Sequence, residues 1–409
     1  MPDSRFSNIS VLAAGEGFSP IGAGFSKDTS DKKVNLGAGV YRDDNELPWL
    51  LPVVKKIEES LIQDPKRDHE YLPVDGLASF VSLARDLLLD LKDDASLISR
   101  IASVQTVSGT GANHLAARFL TETLKPQHVW FPDPTWANHK LLWSLVGDVQ
   151  QSFYPYFDPV TRDIRFDNLI ATLEKEATAG DVIVLHACAH NPTGVDPSKS
   201  QWEKIADLCE RKQLFPLFDC AYQGFATGDI DEDAWAIRHF FRRGTLEIGI
   251  AQSFSKNFGL YGERVGALHL VTNSPQAAAK SRVQLMMLQG GEISTPPAYG
   301  AKIVAKVLGD AELRLEWQAD LTTMTSRLKD MRHALYDELV KLGTPGTWDH
   351  LVSQIGMFSY SGLTKVQVEA LGIKHHIYAY STGRISIGGL TTKNVSYVAA
   401  AIDSVVRDG

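Results

Sequence analysis

Four polar clusters in this chain follow short apolar runs of strand-like composition, and each carries groups that can do chemistry. After IASVQTV come Ser108-Gly109-Thr110-Gly111 and then the helical stretch ANHLAARFL. Small residues at a strand-to-helix turn expose backbone N–H groups at a helix N-terminus, which suits a phosphate. After VIVLHA comes Cys188-Ala189-His190-Asn191-Pro192-Thr193-Gly194, and after LFPLF come Asp219 and then Tyr222. After EIGIAQ come Ser253-Phe254-Ser255-Lys256, with Arg264 eight residues later. Singly, each reads as readily as a tight turn or a solvated loop residue. Gathered in one crevice, they would supply a phosphate cradle, a carboxylate, a phenol and an amine.

Those parts meet the needs of pyridoxal phosphate. It requires a Lys amine for a Schiff base, an acid that keeps the ring nitrogen protonated, and donors for a dianionic phosphate. An ionised Asp beside the pyridinium favours the charged ring, which then acts as an electron sink for a carbanion at the substrate Cα.

The elements that must position these groups are legible in the periodicity. Val53, Val54, Ile57, Leu61 and Ile62 recur at helical spacing, as do Phe80, Ala84, Leu87 and Leu88. From about 100 to 270, IASVQTV, HVWF, DVIVLHA, LFPLFD, EIGIAQS and VGALHLV read as strands alternating with helical stretches. That alternation points to an α/β fold with a mostly parallel sheet, where ligands bind outside the carboxyl ends of the strands. Trp317, Leu321, Met324, Leu328, Met331, Leu335, Leu339 and Leu342 make one long amphipathic helix that stops at Gly343. IGMFSYS, GRISIGG and a last helix from about Lys393 to Val406 follow, giving a smaller α+β domain. The expected division is residues 48–315 as the large cofactor-binding domain, and 1–47 with 316–409 as the small one.

Composition narrows the field. The 409 residues are 44% hydrophobic and 22% charged, which fits an ordinary globular protein with a large core. Forty-one basic against 49 acidic residues, a net charge of −8, argues against a dedicated nucleic-acid binder. No apolar run approaches the roughly 18 residues that span a bilayer. The first twenty residues have neither a secretory nor a transit-peptide layout, so the expected location is cytoplasmic. Cys188, Cys209 and Cys220 form no metal-binding pattern and read as reduced buried thiols. His375-His376 are taken as a surface pair on a strand, facing opposite ways, and no metal site is expected.

The motifs SFSKNFGLYGERVG, HACAHNPTGVDP, FDCAYQGFA, NLGAGVYRDD, SGTGA, HEYLPVDGL and STGRISIGGLT together resemble the aspartate aminotransferase family of fold-type I pyridoxal-phosphate enzymes. They run in the family's order from about residue 34 to 392. The resemblance implies that Lys256 holds the cofactor and then serves as base and acid, that Asp219 pairs with the ring nitrogen, and that His139 and His186 support Asp219. It implies that Asn191 and Tyr222 bond the ring oxygen and that Trp136 stacks on the ring. Ser108, Gly109, Thr110, Ser253, Ser255 and Arg264 would hold the phosphate, joined by Tyr71 from the neighbouring subunit of a homodimer. Arg384 would clamp the substrate α-carboxylate, helped by the backbone at Gly39.

One position departs from that pattern. Family members acting on aspartate or glutamate use a second Arg, from the partner subunit, six residues before a Pro-Pro pair. Counting back from Pro296-Pro297 gives Gly290, followed by Gly291 and Glu292. Arg282 is eight residues further back, about 12 Å along a helix. A buried carboxylate without its Arg costs roughly 3–5 kcal/mol, or about two to three orders of magnitude. The expectation is therefore an aminotransferase with an aromatic donor (tryptophan, phenylalanine or tyrosine), with Glu292 adding negative charge at the distal end and able to accept from an indole N–H. A cationic donor is the second choice. The alternatives are an aspartate aminotransferase in which Gly290-Gly291 is only a loop and another Arg does the work, a decarboxylase or lyase with the same cofactor, or a non-enzymatic module built on the fold.

Overall fold

The computed structural model describes residues 4, 6, 7 and 20–408. Part of the N-terminal segment expected in the small domain, residues 1–3, 5 and 8–19, lies outside the described residues.

After a two-residue strand β1 (Val34–Asn35) come the seven strands of the main sheet: β2 (Ile101–Val107), β3 (His128–Asp133), β4 (Gln150–Pro155), β5 (Val182–His186), β6 (Phe215–Cys220), β7 (Ile248–Ser253) and β8 (Val265–Val271). They lie in the order β2-β8-β7-β6-β5-β3-β4. β7, β6, β5, β3 and β4 are mutually parallel, and β8 runs antiparallel to both β7 and β2. Side chains alternate between the faces as the strand pleat requires. Val182, Val184 and Leu217 join one core cluster, while Ile183, Leu185 and Phe218 join another on the opposite side. Six strands follow the apolar runs of the sequence. The seventh, β4, was not expected, because it sits at the sheet edge, pairs only with β3 and is mostly unburied.

The reversal of β8 matters for function. Its first residue lies beside the last of β2, with Val265 opposite Val107, and beside the end of β7, with Gly266 opposite Ser253. Arg264, immediately before β8, is thereby delivered to the carboxyl edge of the other strands.

The long helix runs Ala311–Leu342. Asp310 caps its start by accepting from the N–H groups of Glu312 and Leu313, and Gly343 ends it at φ 62°. It buries Trp317, Leu321, Met324, Leu328, Met331, Leu335 and Leu339, whereas Leu342 is exposed. Two of its polar groups anchor the site. The Trp317 indole N–H donates to the carbonyl of Asn257, next to Lys256, at 2.7 Å. Buried Arg332 donates to the carbonyls of Leu351, Gly356 and Phe358.

Beyond the long helix, β9 (Phe358–Tyr360) pairs antiparallel with β11 (Arg384–Ser386), while β10 (Ile377–Tyr378) pairs parallel with β1. A strand pairing thus joins residues near the start of the chain to residues near its end. His375 and His376 are not on a strand as expected. His375 ends the helix Lys365–His375, and His376 caps it at φ 54° with its Nδ1 2.7 Å from Asp28. Cys188, Cys209 and Cys220 are free and buried. Among the described residues no helix is long and apolar enough to cross a membrane.

Candidate active site

The carboxyl edge of the sheet opens into a cavity of about 180 Å³ lined by Gly39, Ser108, Gly109, Thr110, Trp136, His186, Asn191, Asp219, Tyr222, Ser253, Lys256, Arg264 and Arg384. Residues separated by more than 300 positions are thus brought to one place. Ser255 joins them by hydrogen bonds, and His139 lies behind Asp219.

An anion site is built at one end. The helix Ser108–Thr123 starts directly after β2, and its N-cap Val107 makes no side-chain cap. The first-turn N–H groups of a helix need an acceptor and favour negative charge. Ser108 sits at φ 61°, with its Oγ 2.9 Å from Ser255 Oγ and 3.3 Å from Ser253 Oγ, and Arg264 Nη1 donates to Ser255 Oγ at 3.3 Å. Two glycines allow this approach. A Cβ on Gly109 would lie 2.9 Å from Ser253 Cβ, and one on Gly266 would lie 2.5 Å from the Ser108 carbonyl carbon. Three hydroxyls, a guanidinium and a helix start fit a phosphate dianion.

At the other end, buried Asp219 accepts from His139 Nε2 at 3.0 Å. The hydrogen bonds behind it run in one direction. The Asn191 backbone N–H donates to His186 Nδ1 at 3.3 Å, so His186 Nε2–H faces Thr135 Oγ1 at 3.2 Å. The Thr135 hydroxyl then donates to His139 Nδ1 at 2.9 Å, which leaves His139 Nε2–H for Asp219. Burial pushes the His186 pKa down to about 3, so its ring is neutral, as this order requires. Burial works against an ionised Asp219, but the hydrogen bond from His139 and the nearby Lys256 charge outweigh it and hold its pKa below the ordinary value. An ionised carboxylate in a buried crevice suits a cationic ring nitrogen.

The Lys256 ammonium lies 5.4 Å from the Tyr222 ring centre, and burial lowers its pKa, with Asp219 opposing and Arg264 adding to that shift. A Lys with a lowered pKa is a better nucleophile and base than an exposed one. Burial raises the Tyr222 phenol, which stays protonated and able to donate. Buried Arg384 donates to Asn191 Oδ1 and to the Gly37 carbonyl, both at 3.1 Å.

Tyr71, Gly290 and Glu292 do not join this cavity. Tyr71 is 82% exposed and lines a larger cavity, about 910 Å³, between residues 61–79 and 295–306. Gly290 and Gly291 are not the loop of the alternative reading but belong to the last turn of the helix Pro275–Ile293. A Cβ on Gly290 would meet only Val74 Cγ1 at 3.7 Å, so the position has room for a side chain. Glu292 is not a free negative charge as expected, because its carboxylate pairs with His114 at 3.3 Å and Arg118 at 3.5 Å on the neighbouring helix. Arg282 is committed to Asp75.

Sequence reasoning missed three contributors. Thr135 links the two histidines from just past the end of β3, four residues before His139. Phe358 and Tyr380 line the cavity against Arg384; Phe358 lies in a run read only as a strand, and Tyr380 just before the run GRISIGG.

A seven-stranded, mostly parallel sheet with an amine, an ionised carboxylate and an anion cradle at its carboxyl edge defines an α/β enzyme of the fold-type I class. The family model "Aminotransferase class I and II" matches residues 31–402, and the chain belongs to that family. It is 48% identical, over 93% of its length and 74% of the relative's, to an L-tyrosine:2-oxoglutarate aminotransferase of Aspergillus ustus. The structure of an aspartate aminotransferase from Saccharomyces cerevisiae cytoplasm superposes with a TM-score of 0.95 at 44% identity, covering 99% of each chain. That of an aromatic-amino-acid aminotransferase from Burkholderia pseudomallei, covalently bound to pyridoxal phosphate, does so at 0.93 and 39%, covering 99% of this chain and 100% of that one. The chain is an aminotransferase, exchanging amino groups between amino acids and 2-oxo acids.

Proposed function

We propose that this aminotransferase works with pyridoxal phosphate in the cavity at the sheet edge and prefers an aromatic L-amino acid as donor. When bound, the cofactor supplies an electron sink for the electron pair left at the substrate Cα after its proton is removed. Ser108, Gly109, Thr110, Ser253, Ser255 and Arg264 would hold its phosphate, with Tyr71 reaching in from the partner of a homodimer. Asp219, kept ionised and aimed by His139, would hold the ring nitrogen proton. Asn191 and Tyr222 would donate to the ring oxygen, and Trp136 would cover the ring face. Arg384, with the backbone at Gly39, orients the substrate α-carboxylate. Lys256 would hold the cofactor and, once released, would take the proton from the substrate Cα and then serve as the acid that gives one back.

Residues 48–315 would form the cofactor-binding body, and 1–47 with 316–409 the smaller body that carries Arg384. The enzyme would work in the cytoplasm, taking up its second substrate, a 2-oxo acid, after the first oxo acid has left.

The observation that carries the donor preference is Gly290. It stands where an aspartate enzyme of this family places a distal Arg, its surroundings are open, and the nearby guanidiniums are occupied, Arg282 by Asp75 and Arg118 by Glu122 and Glu292. The A. ustus relative named for tyrosine supports the same reading. A single-turnover absorbance assay tests it, with the cofactor-loaded protein mixed separately with aspartate, phenylalanine, tryptophan and ornithine. Conversion to the pyridoxamine form by an aromatic donor, much faster than by aspartate, is expected. Fast conversion by aspartate returns the enzyme to dicarboxylate work, fast conversion by ornithine selects a cationic donor, and no conversion by any of the four overturns the aromatic preference and sends the search to donors of another class.

A further inference from the structure

We propose that Tyr380 is a positioning residue for Arg384, fixing the guanidinium edge that receives the substrate carboxylate. The inference rests on the reading of Arg384 as that receptor.

A five-residue turn builds the contact. The Tyr380 N–H donates to the Arg384 carbonyl at 3.2 Å, and the Gly383 N–H donates to the Tyr380 carbonyl at 2.9 Å. Gly383 makes the turn at φ 84°, where a Cβ would lie 2.7 Å from the Leu363 carbonyl oxygen. The turn folds Tyr380 back on Arg384, so that the guanidinium carbon lies 3.9 Å from the Tyr380 ring centre. The Phe358 ring centre is 4.2 Å from the same carbon, set by the pairing of Phe358 with Ser386 in β9 and β11.

A guanidinium bonds through its edge and stacks through its faces. Rings against the faces strip water from them and resist rotation, while Asn191 Oδ1 and the Gly37 carbonyl hold two edge nitrogens. Arg384 is only 4% exposed, so the contact acts in a desolvated site where cation–π attraction is strongest. Tyr380 also lines the cavity itself, with Trp136, Tyr222 and Phe358. Every amino-acid donor presents an α-carboxylate, so loss of the ring should weaken all donors alike. A change at Gly290 should instead alter the ratio between donors.

The test uses holoenzyme and an unreactive pair of probes, 3-phenylpropionate and its neutral amide, titrated by calorimetry. In the wild type the acid binds more tightly than the amide. Tyr380→Leu should weaken the acid about thirtyfold, the factor a lost desolvated cation–π contact corresponds to, and leave the amide within about twofold. Tyr380→Phe should restore the acid. In turnover, Tyr380→Leu should raise KM by one common factor for aspartate, phenylalanine and tryptophan, with a smaller change in kcat. Tyr380→Met, ringless but of similar reach, repeats the test should the Leu variant not fold. Equal weakening of acid and amide would overturn the proposal and leave Tyr380 an apolar wall. Wild-type binding of the acid no tighter than the amide would overturn the Arg384 reading as well, whatever the outcome of amine transfer.

Discussion

The inner edge of the sheet and the outer face around Tyr71 and Gly290 are built on opposite plans. At the inner edge, Asp219 is 9% exposed and the polar groups around it are held by partners from the same chain. On the outer face Tyr71 is 82% exposed, Met287 68% and Val283 58%, and the polar side chains make peripheral ion pairs. On the function proposed above, the inner edge would hold the groups for moving a proton, common to every amino acid. The outer face holds Gly290, the position that would sense the substrate's far end. Selection can therefore change there without disturbing the buried network, which fits a fold shared with both aspartate and aromatic aminotransferases.

The largest break in this comparison comes from the inner edge. Lys256→Ala should lower single-turnover amine transfer by at least about 10⁴-fold, the upper range for a lost acid–base group, for every donor alike. Circular dichroism and thermal melting should show a protein that still folds. Gly290→Arg should act in the other sense, by changing donors relative to one another. It should raise kcat/KM for aspartate by about two to three orders of magnitude and lower it for phenylalanine. A Gly290→Arg variant that shifts all donors equally would sink the division of labour.

Asp219→Asn and His139→Asn should have intermediate effects. Orienting groups behind a reacting group are worth about 10–100-fold, so His139→Asn should fall in that range and Asp219→Asn below it in activity. The cofactor's absorbance band should shift in both variants, since both disturb the ring-nitrogen environment. Unchanged spectra in both would place Asp219 away from the cofactor ring.

The inner edge was more legible in sequence than the outer face, for a physical reason. A parallel strand ends at a fixed edge, so the residue after each apolar run falls near the others, and Ser108, Asn191, Asp219 and Lys256 could be gathered from spacing alone. Arg264 needed the reversal of β8, which the apolar run VGALHLV does not encode. A helix through Gly290-Gly291 does not follow from residue type, since each Gly costs a helix about 1 kcal/mol against Ala. Tertiary contacts hold that last turn instead, with the Gln289 amide donating to the Val74 carbonyl and Glu292 pairing with His114 and Arg118. Those partners are more than 170 positions away, and no local pattern announces them. Thr135 and Tyr380 were missed for the opposite reason. Their partners are four residues away, but a Thr or Tyr in a turn carries no sign of which side chain it will meet.

The smallest expected effect sharpens the comparison through pH. His186 has its folded pKa depressed by burial to about 3, against an ordinary value of 6.5. Between those values the unfolded chain binds a proton that the folded chain refuses. The stabilisation is therefore complete above about pH 6.5 and is lost as pH falls toward 3. The slope is up to about 1.4 kcal/mol per pH unit for one such histidine. Urea unfolding of the wild type at pH 6.5, 5.5 and 4.5 should show stability falling, and His186→Gln should flatten the slope by close to one proton. A slope left unchanged by His186→Gln would mean that burial at the inner edge does not hold this ring neutral.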